Sequence, residues 1–327
     1  MTTPLLTIDR LSVSFGREDQ EQIPAVREVS FSVGKGECVV VLGESGSGKS
    51  VTAQSILGLH DPESTTIRAE GLELDGENLL IGDLNRIRGD RIAMVFQDAL
   101  SALNPVHRVG QQIAEALIVH RGMRKKEANE RAVELMRAMQ IPDPERRAKN
   151  YPHQLSGGMR QRIMIAMALA LEPELLIADE PTTALDVTVQ LQILQLLRDM
   201  CAERGMSLLM ITHDVGVAAE MADRIVVMYA GKIVEVGTVH EVLKHPKHPY
   251  TRGLLGSVPR LDLTSLPTPI PGGLPDPRRL PEGCVFAPRC PIATSLCTTT
   301  QPETQHGVTG RELACHLEDV DGTDGTA

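Results

Sequence analysis

Residues 43–50 read GESGSGKS and stand between the apolar run CVVVL at 38–42 and a helical pattern, KSVTAQSIL, at 49–57. The octet matches G-x-x-x-x-G-K-[ST], the phosphate-binding loop that joins a strand to a helix. Its glycines let the backbone curl so that successive N–H groups point at phosphate oxygens, and the helix N-terminus adds partial positive charge. The pattern therefore predicts a nucleotide-binding loop (P-loop). Its candidate binding residues are Gly43, Glu44, Ser45, Gly46, Ser47, Gly48, Lys49, Ser50 and Val51.

A second motif supplies acids that suit a magnesium–nucleotide site. The run LLIADE at 175–180 reads as a buried strand that ends in two carboxylates. Two acids at a strand end are costly unless they face a cation or a cleft. Asp179 fits the Mg²⁺ partner of the loop, and Glu180 fits the group that polarises the attacking water. In the loop itself, we expect Lys49 to reach the β- and γ-phosphates of ATP and Ser50 to ligate Mg²⁺.

The order of the patterns predicts the fold class. Early strand-like runs and an alternating stretch at 64–80, expected to be a hairpin, precede a charged helical stretch at about 106–171. Strands then alternate with helices up to about residue 245, which is typical of an α/β domain with a mainly parallel sheet. Seven prolines within 259–281 predict an extended connector. One helical face of the charged stretch is apolar and carries Ala132, Leu135, Met136 and Met139.

Composition excludes several classes of protein. The 327 residues, 42% of them hydrophobic, suffice for one large domain and an appendage. A net charge of −10 argues against the basic face that general nucleic-acid binding needs. The start MTTPLLTIDR lacks a signal-peptide pattern, and the apolar runs are strand-sized, far short of the roughly 20 residues of a membrane span. We therefore expect a chain that is not exported and meets a membrane only through a partner.

The tail holds four of the six cysteines, Cys284, Cys290, Cys297 and Cys315. In a cytosolic chain, such a set indicates metal ligands or thiols rather than a disulfide framework. Structural zinc favours closer Cys-x2–4-Cys pairs, whereas a [4Fe–4S] cluster also takes four cysteines, and a proline follows Cys290 as it often does beside such clusters. The spacing leaves a cluster, zinc, and free thiols or disulfides open.

Four further residues of metal-ligating type are expected to have ordinary roles. Cys38 opens a core strand and Cys201 stands late in a helix, where a cysteine packs as a small apolar residue. His245 and His248, in HPKHPY, are expected to be solvated loop residues rather than ligands.

Between the two phosphate-site motifs, LSGGMRQR at 155–162 completes a set that resembles the ATP-binding-cassette (ABC) ATPases. Phe15 stands where that family has an aromatic residue against adenine, and Gln97 matches its Q-loop, which also ligates Mg²⁺. Asp186 matches the D-loop and His213 the switch histidine. The resemblance spans residues 5 to about 245 and implies catalytic roles for Gln97 and His213 beside Glu180 and Lys49. It further implies contacts with the nucleotide from the signature residues Ser156, Gly157 and Gly158 and from Asp186.

The resemblance also implies an architecture. We expect a P-loop NTPase (RecA-like) ABC ATPase core with an antiparallel β subdomain and an inserted helical subdomain, followed by a Cys-rich C-terminal extension. The nucleotide-binding domain would cover residues 1–247, with the helical subdomain at about 99–171. Residues 248–327 would form a Pro-rich linker and the four-cysteine extension.

Longer segments narrow the resemblance to the dipeptide/oligopeptide importer branch, which includes nickel and glutathione importers. These segments are MVFQDALSALNP, YPHQLSGGM, LLIADEPTTALDVTVQ and HPYTRGLLGSVPRL. The branch implies an ATP-hydrolysing subunit of a bacterial ABC importer for dipeptides or oligopeptides, with nickel or glutathione as the alternative cargo. Members of the branch carry a [4Fe–4S] cluster in this extension, which favours a cluster over zinc here.

One P-loop and one signature per chain imply a dimer of nucleotide-binding domains, since ABC proteins sandwich ATP between the loop of one and the signature of the other. The branch favours a heterodimer with a homologous ATPase subunit. Two transmembrane permease subunits, and indirectly an extracytoplasmic solute-binding protein, complete the implied assembly at the cytoplasmic face of the cell membrane.

Two rival functions use the same motifs. Soluble ABC ATPases that act on nucleic acid usually carry two cassettes, coiled coils or basic surfaces, none of which this sequence shows. A soluble iron–sulfur sensor with an inactive cassette is opposed by the intact set of catalytic residues.

Overall fold

The computed structural model describes residues 4–17, 21–183, 185–258 and 268–321. Contacts divide the chain into two compact units. We call residues 34–37 and 82–210 the helical unit, and residues 4–33, 38–81 and 211–321 the P-loop unit. Part of the predicted connector, 259–267, lies outside the described residues, and 268–281 form neither helix nor strand.

The elements are numbered in chain order. The strands are β1 Leu6–Phe15, β2 Ile23–Val33, β3 Cys38–Leu42, β4 Thr65–Arg68, β5 Gly71–Leu74, β6 Glu77–Asn78, β7 Ile92–Val95, β8 Leu175–Asp179, β9 Ser207–Thr212, β10 Arg224–Tyr229, β11 Lys232–Thr238, β12 Gln305–His306 and β13 Glu312–Leu313. The α-helices are α1 Lys49–Ile56, α2 Leu84–Ile87, α3 Ala99–Ala102, α4 Val109–Arg121, α5 Lys125–Ala138, α6 Pro144–Arg147, α7 Gly157–Ala168, α8 Val187–Arg204, α9 Val215–Met221, α10 Val239–Lys244, α11 Pro249–Gly256 and α12 Ser295–Thr299. Short 3₁₀ turns cover Pro152–Gln154 and Ala287–Arg289.

An antiparallel sheet in the P-loop unit is organised around β1. This strand pairs with β2 along one edge and with β4 and β5 along the other. It buries Leu6 and Ile8 and then, after a register shift between Ile8 and Leu11, Leu11 and Val13, so that period-two alternation holds within each pair but not across the shift. The predicted hairpin at 64–80 is therefore only partly right. Strands β5 and β6 form a hairpin, whereas β4 pairs with β1 because its residues Thr65–Arg68 face the second half of that long strand.

A second set of strands in the same unit carries the P-loop. Strand β10 runs parallel to β3, and β11 pairs antiparallel with β10. The residues Val39–Leu42 and Ile225–Tyr229 are buried without alternation, which is typical of parallel strands covered on both faces. This core consists of aliphatic and thioether side chains apart from Tyr229. It fixes the end of β3 and thus the start of the loop.

The cysteine-bearing extension adds to this set of strands instead of forming a separate lobe. Strand β13 pairs antiparallel with β11, and β12 pairs with β13. Arg311 and Glu235 form an ion pair whose side chains are almost fully buried. Two-residue strands cannot stand alone, so the edge of β11 supplies the backbone partners that the extension lacks. The proposed domain boundary at residue 248 stays a prediction.

The helical unit contains β7 and β8, which pair in parallel, and residues 207–210 of β9, which lies beside β8. Helices α4, α5 and α7 pack against one another. The predicted apolar face of α5 is confirmed, since Ala132, Leu135, Met136 and Met139 are buried. These helices present the signature segment, and the end of β8 presents the two acids.

Candidate functional site

The P-loop follows β3 directly, and two glycines in it are required by close approach. Gly48, the N-cap of α1, has φ 101° and ψ 0°, a left-handed conformation that favours glycine. A Cβ on Gly48 would lie 2.7 Å from the carbonyl oxygen of Ala25. A Cβ on Gly43 would lie 2.2 Å from the carbonyl oxygen of Met228. The loop thus adopts its curve only with glycine at these positions.

The side chain of Lys49 folds back onto the start of the loop. Its Nζ donates hydrogen bonds to the carbonyl oxygens of Gly43 and Glu44, each at 2.8 Å. The side chain of Lys49 is buried within the loop. The ammonium group is therefore held over the curled backbone, where a phosphate would be enclosed. Ser50 is the second residue of α1 and follows Lys49 directly, and Ser45 and Gly46 are exposed at the tip of the loop.

Two residues that sequence reasoning missed fix the start of the loop. The N–H of Glu44 donates to Tyr250 Oη at 2.9 Å. The Glu44 carboxylate accepts from Arg289 Nη1 at 2.8 Å and Nη2 at 3.2 Å. Both partners are more than 200 residues away in the sequence, so no local pattern could have indicated them.

Phe15 and His213 are the other expected site residues of the P-loop unit. Phe15 ends β1 and is half-buried, in edge-to-face contact with His60 at a ring-centroid distance of 5.4 Å. His60 lies just beyond α1, and its Nε2 is 3.1 Å from Ser55 Oγ. His213 follows β9 and is exposed.

In the helical unit, Asp179 ends β8 and Glu180 follows it, and the two acids lie in different environments. Asp179 is 4% exposed, whereas Glu180 is half-buried. Glu180 has φ 46°, a strained value for this residue type. Its Oε2 accepts hydrogen bonds from Gln97 Nε2 at 3.0 Å and from Thr183 Oγ1 at 2.8 Å. The structure therefore joins the expected Q-loop glutamine to the expected base, and it adds Thr183, which the sequence analysis did not single out.

The signature segment forms an exposed helix start. Ser156 is the N-cap of α7, and its Oγ accepts from the N–H of Met159 at 3.3 Å. A Cβ on Gly158 would lie 2.8 Å from a methyl carbon of Val189. Asp186 caps α8 by accepting from the N–H of Val189 at 3.0 Å. The amides at the start of α7 therefore lie at an exposed, electropositive helix end that suits an anion.

The four tail cysteines are gathered in one part of the P-loop unit. The N–H of Cys284 donates to the carbonyl oxygen of Cys297 at 2.7 Å. Burial raises the pKa of the Cys284 thiol, and the neighbouring Cys297 and Cys315 raise it further. Burial likewise raises the pKa of Cys290, with a further increase from Cys315 and Cys297. All six cysteines of the chain are free thiols.

The same thiols do not converge on a common centre. Among the described residues, no group of three or more His, Cys, Asp or Glu side chains is arranged to hold a metal ion. The donor set therefore has the chemistry of a sulfur-ligated site, in four neighbouring cysteines, but lacks its closed geometry.

His248 corrects an expectation from the sequence. This histidine is not solvated but 1% exposed, and it caps α11 by accepting from the N–H of Tyr250 at 3.1 Å through Nδ1. Burial lowers its pKa to about 3. His245, by contrast, is exposed as expected. Burial also raises the pKa of Cys201 to about 11, in keeping with a packing role.

No membrane-crossing helix is found in the part of the chain that the structure describes, because none there combines the necessary length and apolar character.

A P-loop after a buried strand, two acids after another, and a helix that begins with the signature glycines define an ATP-binding cassette. The family model "ABC transporter" matches residues 26–183, and the model "Oligopeptide/dipeptide transporter, C-terminal region" matches residues 234–297. The chain belongs to the ABC transporter family, in which it is an ATP-binding subunit.

Similar proteins support this assignment along the whole chain. The oligopeptide transport ATP-binding protein AppD of Bacillus subtilis is 48% identical over 325 residues, which cover 98% of each chain. The dipeptide transport ATP-binding protein DppD of the same organism is 48% identical over 319 residues, covering 96% of this chain and 95% of that protein.

Solved structures support the fold. The ATP-binding cassette MJ0796, in a dimeric post-hydrolysis state bound to ADP and Pi, matches with a TM-score of 0.64 at 31% identity, covering 72% of this chain and 98% of that chain. The protein cbiO1 of Clostridium perfringens matches with a TM-score of 0.59 at 26% identity, covering 74% and 91%. The expected α/β fold of an ABC ATPase cassette is thereby confirmed, and its sheets are antiparallel and mixed.

Proposed function

We propose that this chain is the ATP-hydrolysing subunit of an importer for dipeptides or oligopeptides. The observation that carries the proposal is similarity to oligopeptide and dipeptide transport proteins over nearly the full length, the C-terminal region included. A cassette alone would indicate ATP hydrolysis without a cargo. The C-terminal match favours peptides over the nickel and glutathione alternatives and over an action on nucleic acid.

At the nucleotide, we assign roles from the motifs and the local geometry. Lys49 exchanges its two backbone carbonyl partners for phosphate oxygens of ATP. Ser50, Asp179 and Gln97 would hold Mg²⁺, which supplies positive charge at the phosphates. Glu180 orients and polarises the attacking water. The Gln97–Glu180 hydrogen bond supports a link between the metal-facing glutamine and the base.

We further propose that the site is completed by a second subunit. His213 would contact the γ-phosphate, and Phe15 would stack on adenine. Ser156, Gly157 and Gly158, with Asp186, would face the nucleotide on the partner, and the exposed start of α7 supports this role. ATP binding would close the pair and hydrolysis would release it.

The partners follow from this cycle. A homologous but different ATPase subunit is the favoured partner, and two permease subunits would hold the pair at the cytoplasmic face of the membrane. An extracytoplasmic solute-binding protein would deliver the cargo, which this chain would not contact.

We also propose that the four tail cysteines bind a [4Fe–4S] cluster with a structural role. The neighbouring thiols Cys284, Cys290, Cys297 and Cys315 support the proposal, although a ligand set would require them to deprotonate and converge. Anaerobically purified protein should show visible absorbance that bleaches on reduction. Zinc, without such absorbance, is the alternative outcome, and a metal-free fully active protein would remove the proposal.

Peptide uptake by cells that produce the native assembly tests the main proposal. Lys49→Ala should abolish uptake of a labelled dipeptide and binding of ATP, because the loop loses its only ammonium group. Lys126→Ala is the matched control, since that lysine is 91% exposed on α5. Uptake of nickel or glutathione but not of peptides would overturn the assigned cargo. Retained tight ATP binding by Lys49→Ala would overturn the role of the loop.

A further inference from the structure

An ion pair joins the P-loop to the cysteine-bearing extension. Glu44 is the second residue of the loop, and Arg289 lies on the short 3₁₀ turn between Cys284 and Cys290. The two side chains meet as a two-pronged fork, with Nη1–Oε2 at 2.8 Å and Nη2–Oε1 at 3.2 Å. Bidentate pairing of this kind fixes orientation as well as charge.

Arg289 is saturated with acceptors. Besides Glu44, its Nε donates to the carbonyl oxygen of Pro271 at 2.9 Å, Nη1 to Tyr229 Oη at 3.3 Å, and Nη2 to the carbonyl oxygen of Ile270 at 3.4 Å. These five hydrogen bonds match the five N–H donors of a guanidinium group. The side chain is 7% exposed, so its position is determined on every side. A buried cation needs such pairing, and the Glu44 carboxylate supplies its counter-charge.

Aromatic rings make this region rigid. The chain has three tyrosines and four phenylalanines, and three of these seven pack together here. The ring centroids of Tyr229 and Tyr250 are 4.6 Å apart, and that of Phe286 lies 5.3 Å from Tyr229 and 5.5 Å from Tyr250. Large aromatic contacts of this kind give well-defined packing, so Arg289 and Tyr250 are held on a firm base.

Glu44 connects this rigid region to Lys49 through hydrogen bonds. Its N–H is held by Tyr250 and its carboxylate by Arg289. Its carbonyl oxygen accepts from Lys49 Nζ at 2.8 Å and from the N–H of Ser47 at 3.2 Å. Every polar group of Glu44 is therefore engaged, and the residue connects Arg289 directly to the loop that would enclose the phosphates.

We propose that Arg289 is a positioning residue of the nucleotide site, which binds the Glu44 carboxylate from the cysteine-bearing extension and so keeps its negative charge paired and turned away from the phosphates that the P-loop would enclose. The inference rests on the proposed function, because it concerns how the loop of an ATPase is prepared for nucleotide. Arg289 does not touch the phosphates in this scheme but acts through Glu44.

Electrostatics predict what the loss of Arg289 does. Without it, the Glu44 carboxylate stands uncompensated at the loop and opposes the anionic phosphates. Lysine at this position keeps the charge but cannot form the fork, so Arg289→Lys should fall between the wild type and Arg289→Ala. Removing the carboxylate in addition should relieve the repulsion.

Binding of a fluorescent N-methylanthraniloyl-ADP to the purified full chain, with Mg²⁺, tests the inference. Arg289→Ala should raise the Kd about tenfold, the effect of losing one charge-assisted contact. The double variant Glu44→Gln/Arg289→Ala should return the Kd close to the wild-type value. Arg252→Ala is the matched control and should bind as the wild type does. Arg252 also secures the extension, through Glu318 at 2.9 Å, but lies outside the loop contacts.

Thermal unfolding midpoints without nucleotide separate positioning from folding. If Arg289 only stabilised the fold, adding Glu44→Gln to Arg289→Ala would not restore the affinity for nucleotide while the unfolding midpoint stays low. Restored Kd with an unrestored midpoint therefore supports the proposal. Wild-type affinity in Arg289→Ala, or a double variant that binds no better than the single one, overturns it. A wild-type chain that fails to bind the probe would instead overturn the proposed function.

Discussion

Glu180 shows how contacts, rather than backbone strain alone, mark a candidate base. Both Glu180, at φ 46°, and Glu172, at φ 59°, adopt left-handed conformations in the helical unit. Glu172 is exposed and pairs with Arg131 at 3.3 Å. Glu180 instead directly follows the buried strand β8 and accepts hydrogen bonds from Gln97 and Thr183 on one oxygen, Oε2. These two contacts fix the orientation of the Glu180 carboxylate beside the expected Q-loop glutamine.

At this residue we predict that Glu180→Gln lowers ATP turnover by about 10²–10⁴, the usual contribution of a general base, while ATP stays bound. The amide keeps the shape and one acceptor oxygen but cannot take a proton. Steady-state phosphate release and nucleotide binding by the native assembly measure the two effects separately. Glu172→Gln, the control with a matched backbone conformation, should keep full turnover. Equal turnover in Glu180→Gln and the wild type would remove Glu180 from this role.

Single residues could be predicted from sequence wherever a short motif carries the chemistry. Lys49, Asp179 and Glu180 each stand at a fixed offset from glycines or from an apolar strand, so their placement follows from local rules. Arg289 could not be predicted in this way. Its role depends on a contact across 245 residues of chain, and a lone arginine beside a cysteine has no local pattern that indicates its partner.

Among the elements, α11 illustrates how tertiary packing overrides local expectation. Proline at its first position and a preceding histidine read as a solvated loop in the sequence. In the structure His248 is buried, caps the helix through Nδ1, and has a second hydrogen bond with the backbone of Ala314 in the extension. Capping of this kind needs a neutral ring, since Nδ1 must accept a hydrogen bond.

The lowered pKa of His248 predicts acid sensitivity. With a pKa of about 3 when folded against 6.5 when unfolded, the unfolded chain binds the proton first. The contribution of neutral His248 to the unfolding free energy is therefore complete above pH 6.5 and is lost as the pH falls from 6.5 toward 3. By pH 5 this costs about 2 kcal/mol of unfolding free energy relative to pH 8.

Denaturant titrations at pH 8 and pH 5 measure this effect. In His248→Asn the side chain can still cap the helix but does not titrate. Between pH 8 and pH 5, the unfolding free energy of this variant should therefore fall by about 2 kcal/mol less than that of the wild type. His240→Asn, which changes an exposed histidine of the same unit, should keep the wild-type pH dependence. The same pH dependence in His248→Asn and the wild type would contradict the assignment.

The short strands of the extension mark the limit of prediction for elements. Long periodic segments such as β1 and α5 follow from patterning, because many residues repeat one rule. Strands β12 and β13 have two residues each, too few for a pattern, and they exist because β11 offers an unpaired edge. The sequence therefore shows a tail with four cysteines but does not predict the strands that attach this tail to β11.

For the whole molecule, the exposed signature segment supports the proposed partner subunit. The P-loop, Phe15 and His213 lie in the P-loop unit, whereas the acids and the signature lie in the helical unit. The chain has one signature, and its helix start is exposed. An exposed helix N-terminus of this kind can bind a phosphate group, and a second subunit could supply that group on its bound nucleotide. The solved cassette that matches this fold is dimeric with ADP and Pi.

The identity of the partner gives the last prediction. A tagged Glu180→Gln chain, which binds ATP without hydrolysing it, should trap the closed state in Mg·ATP. Purified from native membranes, it should retain a second, different ABC ATPase and two permease subunits in equal amounts. Purified alone in Mg·ATP, it should remain a monomer by light scattering, because its favoured partner is absent. The double variant Lys49→Ala/Glu180→Gln should not be trapped in the closed state by Mg·ATP, since its loop no longer binds nucleotide. A homodimer that forms from the pure Glu180→Gln chain on addition of Mg·ATP would show instead that the signature surface is complementary to the P-loop surface of an identical chain.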